Sequence, residues 1–152
     1  GVAKGKVWGD LQQGLDVQLN EQTLKAADFI QTQTQCVHAI VGGDNDSPEL
    51  LAQACQDAQL LIHESTYTQA ILDKVGSGPM HSSAKKVAEF AQKNNLGNLI
   101  LTHFSPRHQD QIGQKAIADE VHQYYQGNFY LADDFDQFSL DMIGQLTKID
   151  KS

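Results

Sequence analysis

The sequence has little with which to grip a polyanion. Lys and Arg together number 11 of 152 residues, against 19 Asp and Glu, and Arg107 is the only arginine. A formal net charge of −8 excludes a protein that coats nucleic acid by counterion release, which needs a broad basic face. Local or metal-mediated phosphate contacts stay open. Cysteine is scarce too. Cys36 and Cys55 are too few for a disulfide framework and read as reduced, partly buried thiols of a cytosolic protein. Apolar runs stop after a few residues, so no membrane span is expected. The start, GVAKGKVWGD, has neither an apolar leader nor an initiator Met, and the expectation is an excerpted cytoplasmic chain without a signal peptide. No internal repeat or low-complexity segment stands out.

What is present fits one globular domain over 1–152, long enough to bury about 70% of its unfolded surface. Hydrophobic content of 40% and charged content of 20% agree with that class. The first 35 residues are polar and Gln-rich, with a short helix expected near Val7–Gln12 and strands near Leu15–Leu19 and Phe29–Gln31. CVHAIVGG reads as a buried strand ending in Gly-Gly. SPELLAQACQ reads as a helix, with Ser47 as N-cap and Pro48 at its first position. QLLIHES is the next strand, and Tyr67 to Met80, with Gly76, Gly78 and Pro79, reads as a mobile loop. A helix capped by Ser82 or Ser83 runs to Asn94, with an apolar stripe of Ala84, Val87, Ala88 and Ala91. NLILTHF is a strand, Gln111–Tyr125 a helix, and 128–134 and 137–143 are closing strands. Strands alternating with helices predict an α/β fold.

Three expected strands end in chemically useful residues: Asp44 after Gly-Gly, His63-Glu64, and His103. Ligands of α/β sheets bind beyond such carboxyl ends. His81, before a helix start, can join them through the glycine-rich loop. Oxygen and imidazole donors of this kind suit zinc or manganese. Arg107, just past His103, carries a planar fork that suits phosphate. His63 reads better as a structural histidine bonded to nearby backbone than as a ligand. His38 and His122 read as structural or exposed, and His108 stays ambiguous.

GGDND, HESTY, HSSAKKVAEFA and LILTHFSPRH, in this order and spacing, resemble the ribonuclease Z family, tRNA 3′-processing endonucleases of the metallo-β-lactamase fold. The opening GVAKGKVWGDLQQG is also similar to the segment preceding that family's second half. The family shows Gly-Asp-Thr, His-Glu-Ala-Thr, His-Ser-Thr and Thr-His followed by Ser-x-Arg-Tyr. This chain departs from it at Asn45, Ser65, Ser83 and His108.

The resemblance implies the C-terminal half of a four-layer αβ/βα sandwich, helices outside two packed sheets. It implies a phosphodiester hydrolase that removes the 3′ trailer from pre-tRNA, with two zinc ions (manganese or magnesium as alternatives), and a homodimer. Asp44 would bridge the metals and His103 would be a terminal ligand. Glu64 would orient His81, the general acid. Arg107 and Ser105 would hold RNA phosphate, and the helix start at Ser82-Ser83 would point N–H groups at it. The family's first metal motif, His-x-His-x-Asp-His, has no counterpart, since no two of the 6 histidines stand two apart. The chain is therefore expected to need the N-terminal half and to be inactive alone. Two rival readings are a small phosphodiesterase or arylsulfatase-like hydrolase of the same fold, and a non-catalytic dimerisation or RNA-binding half-fold.

Overall fold

A computed structural model describes residues 5–29 and 36–150. The chain divides into two compact units, residues 1–36 and 37–152.

In the first unit, helix α1 (Lys6–Gln12) precedes a hairpin of β1 (Val17–Leu19) and β2 (Gln22–Leu24). The two-residue loop Asn20-Glu21 has φ 46° and 64°. Both loop residues at positive φ is the type I′ signature, whose twist matches antiparallel strands. Asp16 accepts the Ala26 N–H at 2.8 Å, and Trp8 meets Phe29 edge-on with centroids 6.2 Å apart. The expected strand at Phe29–Gln31 is replaced at Phe29 by the end of a 3-10 turn, Ala26–Asp28; residues 30 and 31 lie outside the described residues.

The second unit is built on a four-stranded parallel sheet in the order β3-β4-β5-β6: Ala39–Val41, Leu60–Glu64, Asn98–Thr102 and Asn128–Leu131. Continuous apolar runs such as Leu60-Leu61-Ile62 and Leu99-Ile100-Leu101 suit strands covered on both faces. Between β4 and β5 lie α2 (Gln69–Val75) and α3 (Ala84–Lys93); α4 (Gln111–Tyr124) connects β5 to β6. The stripe of α3 is buried as expected, with Phe90 added, and packs with Ile117 and Val121 of α4 on Leu61, Leu99 and Leu101. Each fully buried Val, Leu or Ile among them contributes about 2 kcal/mol of transfer free energy. Leu60 and Ile100 point to the other face, where they meet Leu146 and the partly buried Tyr130, Phe138 and Leu140. Tyr130 belongs to β6, while Phe138, Leu140 and Leu146 come from a hairpin of β7 (Gln137–Leu140) and β8 (Leu146–Ile149).

Four sequence expectations change in this unit. The strand read as buried over 36–43 is the short edge strand Ala39–Val41, with Ala39 and Val41 exposed. Tyr67–Met80 is not all loop: α2 occupies its middle, and only Gly76–Met80 is irregular. The helix expected from Ser47 is a 3-10 turn, Pro48–Leu51, followed by further turns. Its bonds are mainly of the i→i+3 kind, Leu50 to Ser47, Ala52 to Glu49 and Ala58 to Cys55. The Ser47 hydroxyl bonds Asp46 and makes no cap bond, and Pro48 and Cys55 are buried, so packing overrides local propensity. The strand expected over 137–143 stops at Leu140, because Asp141 turns the chain by accepting the N–H groups of Ile143 and Gln145.

Candidate metal and acid–base site

Parallel register sets the carboxyl ends of β3, β4 and β5 side by side. Val41 pairs with Ile62, and Glu64 with Thr102. Asp44, Glu64 and His103 follow or close these strands, so one edge of the sheet carries all three. One ligand atom from each of Asp44, His81 and His103 lies within 4.8 Å of the others. The oxygen–nitrogen–nitrogen donor set fits a zinc-like cation.

Glu64 is the buried centre behind this group, only 1% exposed. Its Oε2 accepts the Thr66 N–H at 2.9 Å and the Thr66 hydroxyl at 2.8 Å. Its Oε1 accepts the Ser82 N–H at 2.5 Å and lies 3.5 Å from His81 Nδ1. A buried carboxylate is tolerable because these donors replace water. The Thr66 hydroxyl also touches His103 Nδ1 at 2.9 Å. The rings of His81 and His103 stand 5.0 Å apart, and His103 Nε2 lies 3.7 Å from Asp44 Oδ2. His103 has φ 57°, a left-handed conformation uncommon outside glycine; it ends β5 and turns the ring toward this cluster.

Backbone bonds hold the excursion that carries His81. Tyr67 and Ser83 form a parallel bridge, Ala84 N–H donates to Tyr67 O at 2.8 Å, and Tyr67 N–H to Ser82 O at 3.4 Å. Glu120 of α4 accepts the N–H groups of both Gln69 and Lys85, the first turns of α2 and α3. Ser82 and Ser83 are fully buried. The Ser82 hydroxyl donates to Asn45 O, and Ser83 bonds Gln69 while capping α3 through the Lys86 N–H. The expectation that this helix start points N–H groups at phosphate meets donors already engaged inside the fold.

Ser105 is buried and caps the 3-10 turn Pro106–His108; Arg107 is exposed on that turn. His63 behaves as a structural residue: Nδ1 bonds Glu64 O at 2.8 Å, and the ring lies against Gly42. His108 is buried. Desolvation lowers its pKa, Glu120 and Asp110 oppose that, and Arg107 adds to it. His38 and His122 are exposed, His122 against Phe129. A cleft of about 530 Å³ opens beside His103, bounded by Phe104, Gln109, Gln114, Asp133 and Asp134.

Sequence reasoning passed over Thr66 and Glu120. Thr66 had a signal, standing in the same short motif as Glu64. Glu120 had none, because its partners lie far away in the chain.

No family model matches the chain. Proteins named ribonuclease Z do. That of Marinobacter nauticus is 48% identical over 99% of this chain and 48% of its own length; that of Pseudomonas putida W619 is 39% identical over 98% and 48%. The chain thus spans about half the length of the curated relatives it matches. Among solved structures, the metallo-β-lactamase fold protein YhfI from Bacillus subtilis aligns with a TM-score of 0.54 and 18% identity. That alignment covers 66% of this chain and 39% of that one, and it speaks to the fold.

Proposed function

This chain belongs to the ribonuclease Z family, of whose members' length it spans about half, and on that premise we propose that it is the C-terminal half of a metal-dependent endoribonuclease acting on pre-tRNA 3′ trailers. The observation that carries the reading is the approach of Asp44, His81 and His103 to within 4.8 Å, with Glu64 buried behind His81.

Asp44 and His103 would hold the cation, zinc in our reading and two ions in a complete fold. Bound metal supplies charge neutralisation at the phosphodiester and acidifies water. The chain's own residues divide the remaining work. Glu64, fixed by Thr66 and Ser82, faces Nδ1 of His81 and holds that ring. His81 then donates a proton from its other nitrogen to the departing 3′-oxygen, as general acid. This leaves a 3′-hydroxyl on the tRNA and a 5′-phosphate on the trailer. Arg107 and Ser105 would meet the RNA backbone beside His103. Ser82 and Ser83 serve this reading as the frame that places His81. The missing first metal motif supports inactivity of the chain alone. Homodimer formation comes from the resemblance, and a cytoplasmic location from the scarce cysteines; among the described residues, no helix is long and apolar enough to cross a membrane.

The test replaces the matched half of the Marinobacter protein with this chain. The chimera should trim a pre-tRNA in zinc buffer and lose at least about 100-fold in rate with His81→Ala. The isolated chain should not cleave. Robust cleavage by the isolated chain that dies with Asp44→Ala overturns the half-site reading. A folded chimera that hydrolyses bis(p-nitrophenyl) phosphate and spares pre-tRNA favours a small phosphodiesterase.

A further inference from the structure

The bond between Thr66 and His103 decides which imidazole nitrogen is bare. A threonine hydroxyl has one proton to donate and two lone pairs to accept with. Thr66 Oγ1 has two polar neighbours, Glu64 Oε2 at 2.8 Å and His103 Nδ1 at 2.9 Å. Each Glu64 oxygen already accepts a backbone N–H, Oε1 from Ser82 and Oε2 from Thr66. Both oxygens therefore present lone pairs, and the hydroxyl proton points at Oε2. Nδ1 of His103 must then carry the hydrogen that completes the bond to Thr66. Nε2 is left with its lone pair, on the side where Asp44 Oδ2 lies 3.7 Å away.

We propose that Thr66 is a positioning residue that locks His103 in the Nδ1–H tautomer and so aims a bare Nε2 at the cation position beside Asp44. Main-chain bonds fix the distance. Ser65 N–H donates to Thr102 O at 2.9 Å, and Ser105 N–H to Thr66 O at 3.0 Å, so the extensions of β4 and β5 are joined on both sides of the contact. The left-handed His103 backbone turns the ring into this bond. The same carboxylate thus lies 3.5 Å from His81 Nδ1 and reaches His103 through a hydroxyl. Outer partners of this kind fix tautomer and ring direction of metal-binding histidines, and losing one weakens metal affinity by about 10–100-fold.

The tautomer stands on the geometry of this chain alone; its use toward a cation rests on the proposed function. The experiment records long-range proton–nitrogen spectra of ¹⁵N-histidine-labelled chain at alkaline pH, where imidazoles are neutral. His103→Gln assigns the signal. The wild-type chain and Thr66→Ser should show His103 as Nδ1–H, and Thr66→Val should lose that preference. Zinc competition with a chromophoric chelator should show uptake weakened about 10–100-fold in Thr66→Val and restored in Thr66→Ser. A wild-type Nε2–H tautomer overturns the proposal even if Thr66→Val does not fold. So does Nδ1–H that persists in Thr66→Val. If His103 is Nδ1–H in the wild type and shifts in Thr66→Val while no variant takes up zinc, the tautomer inference is supported and the metal reading fails.

Discussion

The two sides of the candidate site are built differently. On the β4–α3 side, Glu64 is 1% exposed and its donors, from Thr66 and the Ser82 main chain, sit beside the bridge between Tyr67 and Ser83. On the β3 side, the Asp44 side chain is 62% exposed on a turn after Gly43, whose φ is 61°, and it meets His103 only at 3.7 Å. Folding energy already holds the group that orients histidines. The Asp44 carboxylate that would hold a cation stands in solvent, where folding contributes little to its placement. Stability and metal uptake should therefore separate between the two sides.

The largest expected effect is that of Glu64→Ala. It strands the N–H groups of Thr66 and Ser82 in the interior and should cost about 3 kcal/mol or more, read as a lowered urea midpoint. A loss below about 1 kcal/mol would erase the contrast. Gly42→Ala comes next. Its Cβ would lie 2.6 Å from His63 Cδ2 and 3.0 Å from Leu51 Cδ1, a clash just past β3 on the way to Asp44. We expect a cost of about 1–3 kcal/mol, measured in the same way.

A smaller effect comes from pH. Burial holds the pKa of His108 below its ordinary 6.5 in the folded chain. As pH falls through about 6.5, the unfolded chain takes up the proton first, so stability declines until the folded-state pKa is passed. Urea midpoints compared between pH 7.5 and 5.5 should show this decline, reduced in His108→Gln. The smallest stability effect belongs to Asp44→Asn, within about 0.5 kcal/mol of wild type, while zinc uptake falls sharply in chelator competition. A large stability loss there would show that Asp44 is structural.

Much of the frame was legible because it rests on local patterns. Apolar runs around Leu61 and Leu99 marked the central strands, and the alanine stripe marked α3. The residues that end strands were readable from their types, and the structure gathers Asp44, Glu64, His81 and His103 at one sheet edge. The unread parts depend on long-range contacts. Helix α2 hides behind the glycines and proline that follow it, and Glu120 holds its first turn from far along the chain. The turn at Pro48–Leu51 satisfied every helix-start rule and still took 3-10 form, because Pro48 and Cys55 are drawn into the core. Thr66 was visible in the motif, but a hydroxyl's direction follows from two partners, one of them His103.

The Glu120 carboxylate, by clasping the first turns of both α2 and α3, makes the stem of the His81 excursion independent of its tip. Gly76 to Pro79 is exposed and lies outside that clasp. Extra residues spliced there would lengthen the tip at small entropic cost and leave the histidine's anchorage unchanged. The molecule thus offers a graft point for a reporter or an affinity handle close to its chemistry.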